Sequence, residues 1–166
     1  MFTSRACPRH LSFSRRDWTG TMSTTSAPTV QVLTLSCDSA GMQAWAATRD
    51  HVVNELGRGA VGVPSGDVRV WRLLAANNRE VARGSEAFDD ARSAWSHVVS
   101  AQRRSNALLM LTFHGPQAAT HGWAAVAGGR LVMTCSRWYE TASISLEVAA
   151  VARQLLQVVT VPRARQ

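Results

Sequence analysis

The sequence predicts an α+β fold: tandem βββα repeats, in which antiparallel sheets carry helices packed on one face, preceded by an N-terminal βα unit. The main observation is that residues 71–101 align with residues 123–152 with one gap. Each stretch runs from a Trp through an apolar strand, a turn dipeptide, a second apolar strand and an aromatic residue to an alanine-rich amphipathic segment. A period of about 50 residues indicates a duplicated supersecondary unit, and this order of strands and helices is typical of α+β domains.

The N-terminal βα unit is predicted over residues 29–57. It begins with β-branched residues that alternate with polar ones, which is typical of a strand. Asp38 or Ser39 can cap the helix that follows, and Gly57 can end it. The glycine-rich link at 57–67 predicts turns and one short strand.

The two repeats are predicted over residues 58–104 and 106–158. In each copy a dipeptide stands between two strands, Asn77-Asn78 in the first and Gly128-Gly129 in the second. Both dipeptides tolerate positive φ, which is typical of two-residue hairpins. A helix follows each hairpin, and the second helix is apolar on two sides, which predicts that both sides are buried.

Matching residues in the two copies carry a resemblance to a known family. They are Trp71-Arg72-Leu73, Asn77-Asn78, Val81-Ala82, Ser85, Phe88 and Ala91 in the first copy, and Trp123, Gly128-Gly129, Val132, Ser136, Tyr139 and Ala142 in the second. Over residues 67–158 the chain resembles the YegP-like family of small bacterial proteins, which are often tandem repeats. It departs from the family in having Asn78 at the usual turn glycine. The resemblance implies a fold and no mechanism, because the family has no established activity.

The net charge of +7 lies mainly outside residues 29–160, the predicted single domain. Residues 1–28 predict a disordered leader, and residues 161–166 predict a basic tail. The first 21 residues carry +3 and the last six carry +2, which leaves +2 for residues 22–160. A nearly balanced body argues against a broad basic surface for nucleic acid. Met22, followed by Ser-Thr-Thr-Ser, is an alternative start of the protein.

Motif content narrows the class of protein. The three cysteines are too dispersed for a disulfide framework, which favours a reducing, cytoplasmic location. The sequence has no apolar run long enough to span a membrane, so no membrane partner is predicted. It also has no P-loop, GxGxxG, GxSxG, HExxH or EF-hand pattern. No cofactor is therefore predicted, and catalysis is disfavoured.

A candidate metal site consists of His114, His121 and Cys135. The histidines flank a short loop, and the cysteine lies on the next predicted strand. If the loop closes a hairpin, two imidazoles and a thiolate could serve as zinc ligands, or as a Cys–His nucleophile pair. The alternative interpretation is two polar strand ends and a buried thiol, because the spacing is unfamiliar and a fourth ligand is not evident.

A candidate binding surface consists of Trp71 with Arg72 and Trp138 with Arg137. Exposed aromatic rings beside arginines can stack single-stranded bases. The alternative for Trp71 is a core position, because Trp123 stands at the equivalent place in the second copy.

The leading hypothesis is a small non-catalytic binding or assembly module that acts through protein–protein contacts or homodimerisation. Its contact surface would be the last helix or an unpaired sheet edge. One alternative is nucleic-acid binding through an Arg and Trp surface and the basic tails, with an affinity that falls steeply with salt. Another is a small metal- or Cys/His-dependent enzyme around His114, His121 and Cys135.

Overall fold

The structure, a computed structural model, describes residues 27–57 and 62–162 of the chain. Most of the predicted leader, part of the link after the first helix and the end of the predicted tail lie outside the described residues. The described residues 62–67 of the link form no strand, although the sequence predicts a short one there.

Six strands in the described part of the chain form one sheet, and all neighbouring strands are antiparallel. They are β1 (Thr29–Leu35), β2 (Val68–Leu74), β3 (Glu80–Gly84), β4 (Leu109–His114), β5 (His121–Ala127) and β6 (Arg130–Cys135). Their order across the sheet is β1-β2-β3-β6-β5-β4. The strands β1 and β4 are therefore its two edges, and the β3–β6 pair joins its two halves.

Three α-helices pack on this sheet: α1 (Ala40–Leu56), α2 (Ala91–Arg103) and α3 (Ala142–Val158). Each begins at a capping residue, Ser39, Asp90 or Thr141, whose side chain accepts from the backbone N–H three residues further on. Such a cap satisfies one of the free donors at a helix start. Gly57 ends α1 in the left-handed conformation, with φ 60°. No helix in residues 27–57 and 62–162 has the length and hydropathy that crossing a membrane requires.

The two halves of the sheet have the same connectivity, with one difference. In the first half, the connection from β1 to β2 contains the helix α1. In the second half, residues 115–120 alone connect β4 to β5. Each hairpin ladder shifts register once at a matching position, between Leu73 and Leu74 in one half and between Ala125 and Val126 in the other. The strand β1 thus has in the first half the place that β4 has in the second.

The segments between each hairpin and its helix also match. An aromatic residue bridges back to the second strand of its own half: Phe88 pairs with Arg69, and Tyr139 pairs with His121. The predicted α+β class with an antiparallel sheet is confirmed.

The two hairpin turns differ, although the sequence predicts two-residue turns in both. Gly128 and Gly129 both have positive φ, 56° and 79°, as such a turn requires. In the first half, Asn78 has a φ of 61° and donates to the carbonyl of Ala75 (2.8 Å), while Ala75 donates to Arg79 (2.9 Å). This pattern is a type I turn followed by a bulge residue. The longer turn accounts for the single gap in the alignment of residues 71–101 with residues 123–152.

The helices cover both faces of the sheet. Val70 packs with Trp45 of α1, whereas the next residue, Trp71, hydrogen-bonds to His97 of α2. Successive side chains of a strand point to opposite faces, so α1 and α2 lie on opposite sides. The helix α3 lies beside α2, because Gln102 at the end of α2 donates to carbonyls at the end of α3. The helices α2 and α3 thus share one face, as predicted.

Candidate functional site

The end of the β4–β5 hairpin brings two of the predicted site residues together. His114 and His121 lie directly opposite each other in the ladder. Their ring centroids are 5.2 Å apart, at an interplanar angle of 44°. His114 is exposed and His121 is half-buried, so solvent reaches the pair.

Cys135 does not join the two histidines. It lies at the end of β6 and is 1% exposed. Its neighbours across the sheet are Ala82 of β3 and Trp123 of β5. Trp123 is two residues further along β5 than His121. Burial raises the pKa of its thiol to about 11, so the thiolate needed for a ligand or a nucleophile is scarce at neutral pH. Among the described residues, no three His, Cys, Asp or Glu side chains are placed to hold a metal ion. The predicted three-ligand site is therefore not formed.

An aromatic cluster lies at the same end of the sheet, on the face that α1 covers. His51 of α1 meets the ring of Trp138 edge-on, at 5.4 Å and 86°, and Trp138 meets Phe113 at 6.0 Å and 84°. Gly122 makes room for these rings, because a Cβ there would lie 2.6 Å from an atom of Phe113 and from one of Trp138. Trp138 is therefore half-buried by packing and offers only part of its ring for stacking.

The edge of β4 presents free backbone groups. The N–H and C=O of His121 both pair with Tyr139, so the opposed pair His114–His121 exchanges no backbone hydrogen bonds. Alternation along an antiparallel ladder then points the backbone groups of Met110, Thr112 and His114 away from β5. His51 Nε2 donates to the carbonyl of His114 at 2.7 Å. The outward groups of Met110 and Thr112 have no hydrogen-bond partner among the described residues.

The other predicted binding pair does not form a stacking platform. Trp71 is 0% exposed, so no base can reach its ring. Arg72 points to the opposite face, where Nε and Nη2 donate to Oε1 of Gln31 (3.0 and 2.7 Å) and Nη1 pairs with Glu80 (3.4 Å). Adjacent strand residues cannot share a face, and this excludes the predicted Trp–Arg platform here. Arg137 lies half-buried next to Trp138.

The second apolar side of α3 is only partly exposed. Ile144 and Leu155 pack against the core at its margin. The large apolar side chains exposed in the described part of the chain are Val63, Leu109, Leu146 and Val158, at 40%, 56%, 45% and 69%. Two of them lie on α3 and one lies on the edge strand β4.

Comparison with known proteins gives a likeness of fold. No family model matches the chain. No curated protein matches it either. Among solved structures, the chain is similar to the solution NMR structure of yegP from E. coli, a protein of unknown function, with 14% identity, a TM-score of 0.42 and coverage of 60% of this chain and 86% of that one. This likeness carries no inference about function.

A chain of polar groups beneath α2 runs from the buried Trp71 to the exposed Arg130, and no sequence pattern predicts it. The indole N–H of Trp71 donates to Nδ1 of His97 at 3.0 Å. Nε2 of His97 lies 4.0 Å from Oε1 of Glu86, which also accepts from Arg130 at 3.1 Å. Because Trp71 donates to Nδ1, the neutral ring must carry its proton on Nε2. Burial lowers the pKa of His97, Arg104 and Arg130 add to this, and Glu86 opposes it.

The lowered pKa of His97 makes stability fall in mild acid. Below about pH 6.5 the imidazole of His97 is protonated more fully in the unfolded chain than in the folded chain. The free energy of unfolding therefore decreases as the pH falls. Denaturant unfolding between pH 7.5 and 5.5 measures the slope. We expect a shallower slope for His97→Gln than for the wild-type chain. Equal slopes for the wild-type chain and His97→Gln would contradict this role.

Proposed function

We propose that the chain is a small non-catalytic assembly module that forms a homodimer by pairing the edge of β4 with the same edge of a second copy. The observation that carries the proposal is the set of outward backbone groups at Met110 and Thr112 that have no partner within the described residues. An edge strand invites another strand unless charge, proline or a bulge blocks it. The sequence of β4, LMLTFH, contains no proline and none of Asp, Glu, Lys or Arg, and its ladder has no register shift.

The symmetry of a two-fold dimer suits this edge. With Leu111 opposite Leu111 of the second copy, Met110 of each chain lies opposite Thr112 of the other, and their outward groups can form hydrogen-bonded pairs. A register that used the carbonyl of His114 would have to displace the His51 imidazole that already donates to it. The His51 contact therefore favours the Leu111-centred pairing.

The other edge of the sheet is less suited to self-association. Pro28 directly precedes β1 and has no backbone N–H to donate. The first 21 residues carry a charge of +3, so two copies that met at β1 would bring like charges together. These two features favour β4 as the contact strand.

The same proposal includes a duplicated origin of the sheet. The two units would be β1-β2-β3-α2 and β4-β5-β6-α3, with α1 inserted into the first. Support comes from the matching register shifts, the matching aromatic bridges and the equivalent capping residues Asp90 and Thr141.

Removal of one outward N–H tests the dimer. Thr112→Pro deletes a donor that faces the free edge, a position at which sheets tolerate proline. Each dimer loses two intermolecular hydrogen bonds, which is expected to raise the dimer dissociation constant about tenfold or more. Size-exclusion chromatography with light scattering across a dilution series of the full chain gives the measurement.

Two charge variants form a matched pair for the same test. Leu109→Lys places a charge on the edge strand at a side chain that is 56% exposed, and Val158→Lys places the same charge at a 69% exposed position at the end of α3. We expect Leu109→Lys to weaken the dimer and Val158→Lys to leave it intact, with unchanged circular dichroism in both. A full chain that is monomeric at all concentrations, or equal effects of the two substitutions, would contradict the proposal.

A further inference from the structure

We propose that His114 and His121 form a two-histidine site for a divalent transition-metal ion. The first observation is the distance between the two rings. Two imidazoles that share a tetrahedral ion, each through a nitrogen about 2.0–2.1 Å from the metal, have centroids about 5 Å apart. The measured separation of 5.2 Å matches that requirement.

The backbone favours chelation by this pair. Because the N–H and C=O of His121 both pair with Tyr139, His114 and His121 occupy a non-hydrogen-bonded position of the ladder. Side chains at such positions lie closer together than at hydrogen-bonded ones. The Tyr139 bridge holds the backbone of His121, and the His51 imidazole holds the carbonyl of His114. Both ligands therefore project from a restrained backbone.

The pair is accessible and its ring nitrogens are available. His114 is exposed and His121 is half-buried, so an ion can enter from solvent and keep water in its remaining positions. Neither ring makes a hydrogen bond within residues 27–57 and 62–162, and the contact between them is a ring contact alone. An ion would not have to displace a protein partner from either imidazole.

The chemistry of the ligands selects the class of ion. Imidazole suits Cu²⁺, Ni²⁺ and Zn²⁺, whereas Mg²⁺ and Ca²⁺ prefer carboxylate and carbonyl oxygens. For a given set of nitrogen ligands Cu²⁺ binds most tightly in this series. We therefore expect the order Cu²⁺ before Ni²⁺ and Zn²⁺, with no binding of Mg²⁺. Cys135 takes no part, because it lies buried beside Trp123.

Titration calorimetry of the full chain with Zn²⁺, and separately with Mg²⁺, tests the site. The expected result is one Zn²⁺ per chain and none for Mg²⁺. His114→Ala and His121→Ala should each lower the Zn²⁺ affinity tenfold or more. The double variant should lose little beyond either single variant, because one imidazole alone cannot chelate the ion.

The matched control is His10→Ala, which removes a histidine from the N-terminal leader. It should leave the Zn²⁺ affinity unchanged. Binding that survives in the double variant, or that is lost in His10→Ala, would place the ion elsewhere and overturn the inference. The pair lies within one chain, so the stoichiometry per chain is the same for a monomer and a dimer, and this result is independent of the oligomeric state.

Discussion

Replacement of Trp71 by alanine is expected to lower the free energy of unfolding by about 3–5 kcal/mol. The indole is 0% exposed, and its N–H donates to Nδ1 of His97 at 3.0 Å. Truncation would leave a cavity between the sheet and α2, and it would also leave the partly buried Nδ1 of His97 unpaired. Denaturant unfolding followed by circular dichroism gives the measurement.

Trp123 provides the matched comparison. It is also 0% exposed, but its Nε1 only approaches the Tyr139 side chain and makes no hydrogen bond of full geometry among the described residues. Trp71→Phe and Trp123→Phe remove the same volume, and the first also breaks the bond to His97. We expect Trp71→Phe to cost about 1 kcal/mol more than Trp123→Phe. Equal losses would show that the bond to His97 adds no stability.

The buried tryptophans and the helices of the two halves can be predicted from the sequence, because residues 71–101 and 123–152 align. Trp71 and Trp123 align in the two copies, and an aligned pair of indoles is best explained by a shared core position. The capping residues are also local signals, since Asp90 and Thr141 directly precede their helices. Each of these features depends on residues that are near in sequence or that align between the two stretches.

The placement of α1 could not be predicted in this way. An apolar stripe shows which side of a helix is buried, and it does not show which face of a sheet the helix covers. The partner of β1 is likewise hard to predict, because β1 pairs with β2, from which the whole of α1 separates it in sequence; Thr29 lies opposite Leu74. This long-range pairing makes β1 the outer strand of the first half.

The candidate site was predictable in part for a similar reason. A short loop between His114 and His121 predicts a hairpin, and the hairpin brings the two rings together. The position of Cys135 depends on the register between β5 and β6, which has a shift that the sequence does not mark. The hydrogen bond between Trp71 and His97 joins residues 26 apart in sequence, and no sequence motif predicts it.

Because helices cover both faces of the sheet, the proposed dimer contact and the proposed metal site lie at the β4 edge and at the end of the β4–β5 hairpin. Helices α2 and α3 cover one face and α1 crosses the other, so Trp71 and Cys135 are enclosed. The features that stay accessible in the described part of the chain include the free groups of β4 and the two imidazoles beside them. The same strand therefore supplies both the proposed dimer contact and one proposed metal ligand.

Substitution of Gly84 by alanine is expected to destabilise the chain by about 3 kcal/mol, the upper end of the usual cost of overpacking. A Cβ at this position would lie 2.6 Å from Cε2 and 2.7 Å from Cδ1 of Trp71. The ring cannot move aside, because it is enclosed and bonded to His97. The backbone cannot retreat freely either, because the carbonyl of Gly84 accepts from Nε1 of Trp45 at 3.0 Å. Chemical denaturation measured by circular dichroism gives the loss.

A double-mutant cycle separates the clash with Trp71 from a general intolerance of any substitution at this position of β3. The smaller ring in Trp71→Phe leaves room for the added methyl group, so Gly84→Ala should cost less in that background than in the wild-type chain. Gly62→Ala serves as the control, because a Cβ there meets no atom within 4 Å, and it should be nearly neutral. If Gly84→Ala costs the same in both backgrounds, the close approach of Trp71 is not the cause. A smaller cost with phenylalanine at position 71 would identify contact between the sheet backbone and the first buried indole as the constraint that requires glycine at position 84.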